Sequence, residues 1–230
     1  DRPFTTASSP AHTFYTTDEY SIFLRMGALK NITRLFADSI RFWNEMMAHP
    51  HLDDWWKQRD VSKHCADVKP AVLVVGGLFD AEDCYGTFEL YKAIRTQSPQ
   101  TSLSLVIGPW SHGAWNNKDA SSLGYINFGA NTAQYYQQEI EFPFVQAHVK
   151  PNTTRDVQSD KSRPFVHCFI SGENTWKTYQ SWPPKETDKI PFYLLPEGHI
   201  SCAPPVFKTS SSGYFSDPLH PVPYTDRIQT

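Results

Sequence analysis

Residues 70–80 read Pro70-Ala71-Val72-Leu73-Val74-Val75-Gly76-Gly77-Leu78-Phe79-Asp80, and residues 102–112 read Ser102-Leu103-Ser104-Leu105-Val106-Ile107-Gly108-Pro109-Trp110-Ser111-His112. Each is a short, largely apolar run closed by glycine, with a polar residue a few positions beyond. Apolar runs of this length, without strict alternation, mark strands buried on both faces, as in a parallel sheet. Between them Phe88, Tyr91 and Ile94 recur at helical spacing and Pro99 ends the pattern. Strand, helix and strand in about 30 residues make a crossover unit. Parallel neighbours present their carboxyl ends at one edge, the edge at which open α/β sheets bind ligands. Asp80 and His112 therefore meet, although 112 − 80 = 32 positions separate them. A carboxylate beside an imidazole can select its tautomer and stabilise its protonated form, two of the roles needed in acyl transfer. The plainer alternatives, a turn-forming aspartate and a structural histidine, stay open on these residues alone.

Upstream, Thr17 or Asp18 can cap a helix carrying Tyr20, Phe23 and Leu24. Asn31 can cap a second with Ile32, Leu35, Phe36, Ile40, Trp43 and Met47, and Asp53 a third with Trp55 and Trp56. Downstream, a helix capped by Asn131 runs through Tyr135, Tyr136 and Ile140, and Pro143 should bend it. Of the 18 prolines, seven lie in residues 1–150 and eleven in the last 80, so the chain changes character near residue 150. The expected organisation is a helical region over 1–66, an α/β region over 67–150, a polar linker over 151–163, and antiparallel strands of a β-sandwich over 164–230.

Composition removes several classes. The 230 residues carry 21 basic and 24 acidic side chains, a formal charge of −3, with no basic footprint for nucleic acid or an anionic membrane. No apolar run approaches the roughly 20 residues of a membrane-spanning helix. Seven Trp, eleven Tyr and fifteen Phe supply a packed core. Cys65, Cys84, Cys168 and Cys202 form no C-x-x-C pair, which leaves free thiols and two disulfides both open.

The strings GLFDAEDCYG (77–86) and LVIGPWSHGAWN (105–116) resemble the cocaine-esterase-like and X-prolyl dipeptidyl-peptidase (S15) hydrolases. Within that group they are most similar to α-amino acid ester hydrolases and glutaryl-7-aminocephalosporanic acid acylase-like proteins. The resemblance implies an α/β-hydrolase fold with triad acid at Asp80 and triad histidine at His112, in the chain order usual for that fold. It also implies that 1–66 belong to a helical cap and 67–150 to the C-terminal part of the hydrolase domain. From 164, FISGENTWKTYQSWPP (169–184) resembles the start of a jelly roll. Phe79 and Tyr85 stand where relatives often carry Trp, and Ser111 where Arg is common, which puts the pocket's shape in question but not the triad positions.

A triad of this kind needs a nucleophile on a G-x-S-x-G or G-x-S-Y elbow, and no such motif occurs among these residues. The expectation is that the chain is a C-terminal portion, that an upstream part of the same protein carries the serine, and that the isolated chain is inactive. Glu82 and Asp83 beside the acid favour a cation; the resemblance implies recognition of a substrate's α-ammonium group, and helix-terminus stabilisation is the alternative. Tyr85 and Trp110 could line a substrate pocket, with Trp115 beside them, or belong to the core. No second histidine stands at ligand spacing, so no metal site is expected, and the chemistry requires no cofactor. The expected activity is ester or amide cleavage through a seryl acyl-enzyme, on small-molecule substrates that include β-lactam types. The alternatives are an X-Pro dipeptidyl-peptidase and a non-catalytic hydrolase-like module. A homo-oligomer is compatible with the sequence, and the resemblance favours a periplasmic or secreted parent over a cytoplasmic one.

Overall fold

The computed structural model describes residues 19–36, 39–149, 165–206, 209–217 and 219–220. The chain divides into two units, one formed by Asp1–Lys57 and Ile190–Thr230, the other by Gln58–Lys189.

In the first unit come α1 (Glu19–Met26), a 3₁₀ turn (Leu29–Ile32), α2 (Thr33–Phe36), α3 (Arg41–Ala48) and α4 (Asp54–Lys57). Thr17 and Asp18, the expected caps of α1, lie outside the described residues. The helix expected from Asn31 to Met47 is not continuous. Asn31 sits inside the 3₁₀ turn, and its Nδ2 donates to the Met26 carbonyl (2.8 Å), serving the end of α1 instead of the start of a new helix. Asp53 does cap α4, its Oδ1 accepting from the Trp55 and Trp56 N–H groups at 3.0 and 3.4 Å.

The second unit is built on β1 (Val72–Gly77), α5 (Cys84–Gln97) and β2 (Leu103–Gly108). The two strands run parallel in the register Val72↔Leu103 to Gly77↔Gly108. After the short hairpin strands β3 (Ser122–Leu123) and β4 (Ile126–Asn127) come α6 (Thr132–Tyr135), a π-helical turn (Tyr136–Glu141) and α7 (Phe142–Val149). Asn131 caps this run, its Oδ1 accepting from Gln134 N–H at 3.1 Å. The bend expected at Pro143 takes the form of the π turn. Proline has no N–H to give to the carbonyl four residues back, and its ring crowds that carbonyl, so the turn before it widens.

β5 (Val166–Ile170) and β6 (Thr175–Tyr179) complete a sheet ordered β1-β2-β5-β6. Here the structure corrects the expected organisation. The run beginning at 164 was expected to open a separate antiparallel sandwich, yet β5 lies parallel to β2, with Leu105↔Val166 and Ile107↔Cys168 as partners. Within this sheet, as described, only the β5–β6 pairing is antiparallel. The reason is burial: Val166, Cys168 and Phe169 are all at or below 3 % exposure, as a strand covered on both faces requires. The expected linker, 151–163, lies outside the described residues.

Alternation along the strands sends side chains to two cores. Val74, Leu105, Ile107, Val166 and Cys168 meet Tyr91 and Ile94 of α5 on one face. Val106 and Trp110 meet Ala133, Tyr136 and Ile140 on the other. Helices thus cover both faces, and each fully buried aliphatic side chain contributes about 1.5–3 kcal/mol. The remaining short strands, β7 (Tyr193–Leu194) and β8 (Ile200–Ser201), pair antiparallel in the first unit. Around Val206 and Tyr214 no strand occurs among the described residues. All four cysteines are free. No helix among the described residues is long and apolar enough to cross a membrane.

Candidate active site

Three glycines let neighbouring parts of the chain close on the β1 and β2 strand ends. A Cβ at Gly77 would collide with the Trp110 carbonyl, and one at Gly108 with the Trp110 ring; one at Gly76 would stand 2.6 Å from Thr87 Oγ1. With side chains absent there, the ladder continues past the strands: Leu78 N–H donates to the Gly108 carbonyl (3.0 Å) and Phe79 N–H to the Trp110 carbonyl (3.1 Å). The loop carrying Asp80 is thereby tied to the loop carrying His112.

Asp80 then turns the chain into α5. Its Oδ1 accepts from the N–H groups of Glu82 (2.8 Å) and Asp83 (3.0 Å), bonds that satisfy otherwise orphaned donors at the helix start. Its Oδ2 faces His112 Nδ1 at 3.0 Å. The turn-forming role and the acid role are therefore compatible, one on each oxygen. The carboxylate is 1 % exposed and the imidazole 53 % exposed, so a buried anion orients a ring open to solvent. With Nδ1 directed at the carboxylate, Nε2 is the outward nitrogen and the one available to a substrate or nucleophile.

The backbone bonds from Asp83 and Glu82, together with His112, hold the Asp80 carboxyl below the usual carboxylate range against the opposing effect of burial. Its bond to Asp80 raises the His112 pKa above the ordinary imidazole value, and the charges of Glu82, Asp80 and Asp83 add to this. At neutral pH the arrangement is an ionised acid beside a base whose protonated form is stabilised.

Asp83 Oδ2 stands 3.7 Å from His112 Nδ1 with its own side chain 66 % exposed, and Glu82 is exposed next to it. Asp83 lines the cleft at the site, whereas Glu82 is not among the cleft's lining residues and reaches His112 through its charge. Asp80, Asp83 and His112 offer ligand atoms within 4.8 Å of one another, so among the described residues these three could hold a metal ion. The nitrogen turned toward them is, however, the one hydrogen-bonded to Asp80.

A cleft of about 760 Å³ opens at this place, with Asp80, Asp83, Tyr85, His112 and Trp115 among its lining residues. Tyr85 is exposed on it. Trp110 is not there. Its ring is 1 % exposed, packs edge-on to Tyr136 with centroids 5.5 Å apart, and donates Nε1–H to Thr132 Oγ1 at 2.9 Å. The expectation that Trp110 lines the pocket is corrected: the glycines at 77 and 108 admit it into the core, and its backbone serves the site. Trp115 takes the wall position, its ring edge-on to His112 at 6.4 Å. Reading the sequence did not single out the far side of the cleft, Asp60 to Ser62, because nothing in that polar stretch signals a pocket.

Residues 13–114, a span containing Asp80 and His112, match the family model described as X-Pro dipeptidyl-peptidase (S15 family). The chain is 26 % identical over 191 residues to cocaine esterase of Rhodococcus sp. (strain MB1 Bresler), an alignment covering 78 % of this chain and 31 % of that protein. Among solved structures it is similar to an aminopeptidase from a marine sediment Thaumarchaeota archaeon (TM-score 0.80, 33 % identity, 93 % of this chain, 34 % of that one). It is also similar to an α-amino acid ester hydrolase (TM-score 0.73, 30 % identity, 92 % of this chain, 35 % of that one). The chain spans about a third of the length of each of these relatives. On family model, sequence and structure alike, the chain is similar to hydrolases of the S15 and cocaine-esterase-like kind.

Proposed function

We propose that this chain supplies the acid and base of a serine hydrolase that cleaves esters or amides through an acyl-enzyme, with a preference for acyl groups bearing an α-amine. The observation that carries the reading is the 3.0 Å contact between a buried Asp80 carboxylate and the half-exposed His112 ring at neighbouring strand ends. His112 takes the proton of the attacking hydroxyl at Nε2, then gives it to the leaving group. Asp80 keeps Nδ1 protonated and stabilises the imidazolium between those steps. Glu82 and Asp83 attract the substrate's ammonium group by charge. The serine and its oxyanion donors come from an upstream part of the same protein. That part has somewhere to add: among the described residues β1 pairs only with β2, and the cleft extends along Val72–Val75 to the site. In this reading residues 1–66 belong to the helical cap region of the parent protein. The parent protein is exported.

Cleavage of X-Pro amides is the second reading, favoured by the family model that matches 13–114. Both substrates present a free amine, so the leaving group separates them. Turnover by the longest natural chain containing these residues, on amino-acid esters and on X-Pro-anilides, decides. Faster cleavage of the esters, and loss of that preference when the amine is acetylated, supports the first reading. Preference for the anilides supports the second, and turnover of neither points to a hydrolase-shaped binding module. The 230 residues alone are expected to turn over neither.

A further inference from the structure

We propose that Gln137, in the π turn before α7, is a positioning residue that holds the loop following His112 so that the imidazole stays on Asp80; this rests on the reading of Asp80 and His112 as acid and base. A ring 53 % exposed has few neighbours to restrain it, so its direction depends on the loop that carries it. That loop leaves His112 through Gly113 in the left-handed conformation (φ 72°) and forms a single 3₁₀ turn, Ala114–Asn116. Within it, Trp115 sets its ring edge-on to His112. Gln137 Nε2 donates to the carbonyls of Trp115 (2.8 Å) and Asn117 (3.3 Å), on either side of the turn's last residue. Both partners are acceptors, which fixes the amide orientation, since the side-chain oxygen could serve neither. The residues before Gln137 tie down the far part of the same loop. Asn131 Nδ2 donates to the Lys118 carbonyl (2.7 Å), and Thr132 Oγ1 to that of Ala120 (2.7 Å). Gln137 extends this attachment to the part nearest His112. The π turn matters because it displaces the residues after Tyr135 from regular helical spacing, and π turns of this kind recur at functional positions.

The test reads His112 itself. Imidazole titration by ¹H–¹⁵N NMR in the 230-residue chain should give a wild-type midpoint above the ordinary value of 6.5. In Gln137→Met and Gln137→Leu, which fill the site, remove the donors and add no charge, the midpoint should fall toward 6.5. A purely structural role would lower thermal stability and leave the midpoint in place. If Gln137→Met does not fold, Gln137→Asn, shorter by one methylene, carries the same comparison. A midpoint unchanged in the donor-less variants, with Asp80→Asn lowering it, overturns the role of Gln137 and leaves the acid–base pair standing. A wild-type midpoint at 6.5 that Asp80→Asn does not move overturns both.

Discussion

Thr132→Val isolates the polar link between the site loop and the core behind it. Thr132 is 1 % exposed and its hydroxyl works in both directions, accepting from Trp110 Nε1–H at 2.9 Å and donating to the Ala120 carbonyl at 2.7 Å. Valine has nearly the same shape, so no cavity forms and the loss is polar. The Ala120 carbonyl keeps a long bond from Thr132 N–H (3.4 Å), whereas the indole N–H, in a side chain 1 % exposed, is left without an acceptor. An orphaned buried donor costs about 1–3 kcal/mol and a lost ordinary hydrogen bond about 0.5–1.5, so the total is about 1.5–4.5 kcal/mol. With a urea slope of about 1–3 kcal/mol per molar, the midpoint should drop by roughly 0.5 M or more. The assay is urea unfolding of the 230-residue chain followed by tryptophan emission. Thr132→Ser is the control: it keeps the hydroxyl and gives up one methyl, worth about 0.8 kcal/mol. The expected order is wild type, then Ser, then Val, whereas apolar burial alone would put Val first and Ser last. A Val variant as stable as Ser, or more so, would refute the assignment of Trp110 to a hydrogen-bonded core position.

The other predictions concern the site. Asp80→Asn should lower kcat by about 10³–10⁴-fold in the longest natural chain, because an amide no longer holds the productive tautomer, while the expressed protein stays folded. Since the wild-type His112 pKa is raised, kcat/KM should climb with pH through a midpoint above 6.5, and loss of Asp80 or its charge should move that midpoint down; a profile midpoint at or below 6.5 in wild type speaks against the pairing. Asp80 has a lowered pKa in the folded chain, so the stability it contributes is present above its unfolded value and disappears as pH falls through the folded one; an acid titration of unfolding in wild type and Asp80→Asn should show that loss only in wild type. Asp83→Asn with Glu82→Gln should raise KM for free-amine esters by about tenfold, as loss of about 1.4 kcal/mol of charge attraction would, and leave the N-acetylated esters unchanged. Gly77→Ala should abolish folding of the second unit, read as loss of near-UV circular dichroism, since its Cβ meets backbone that cannot move aside.

Much of this site is legible in the sequence because burial writes itself into strands. Val72–Val75 and Leu103–Ile107 are largely apolar where a half-exposed strand would alternate, which is why they read as a parallel pair and why Asp80 and His112 could be brought together from 32 positions apart. The same physics was present in Val166-His167-Cys168-Phe169-Ile170 but was masked. His167 breaks the apolar run, although its ring is largely buried, with Nδ1 unpartnered and its pKa held down by burial. The adjoining strand Thr175–Tyr179 is half polar because much of it faces solvent, and such a strand is hard to distinguish from a loop. Trp110 was ambiguous for a different reason. A large aromatic two residues before His112 has the same letter in a wall or in a core, and the decision rests on Gly77 and Gly108, whose missing side chains make room for it. Gln137 carries no sequence signal at all: a polar residue on a helix is ordinary, and only the turn forced by Pro143 and the position of two carbonyls give it a task.

The claim that Asp80 and His112 are the acid and base of a serine hydrolase is tested most directly by covalent labelling. The longest natural chain containing these residues would be treated with a fluorophosphonate and mapped by mass spectrometry, beside its His112→Ala and Asp80→Asn variants. The account predicts one adduct on a serine outside these 230 residues, formed at least about 10³-fold more slowly in His112→Ala. No adduct in the wild type, or an adduct forming at the same rate without His112, would contradict it.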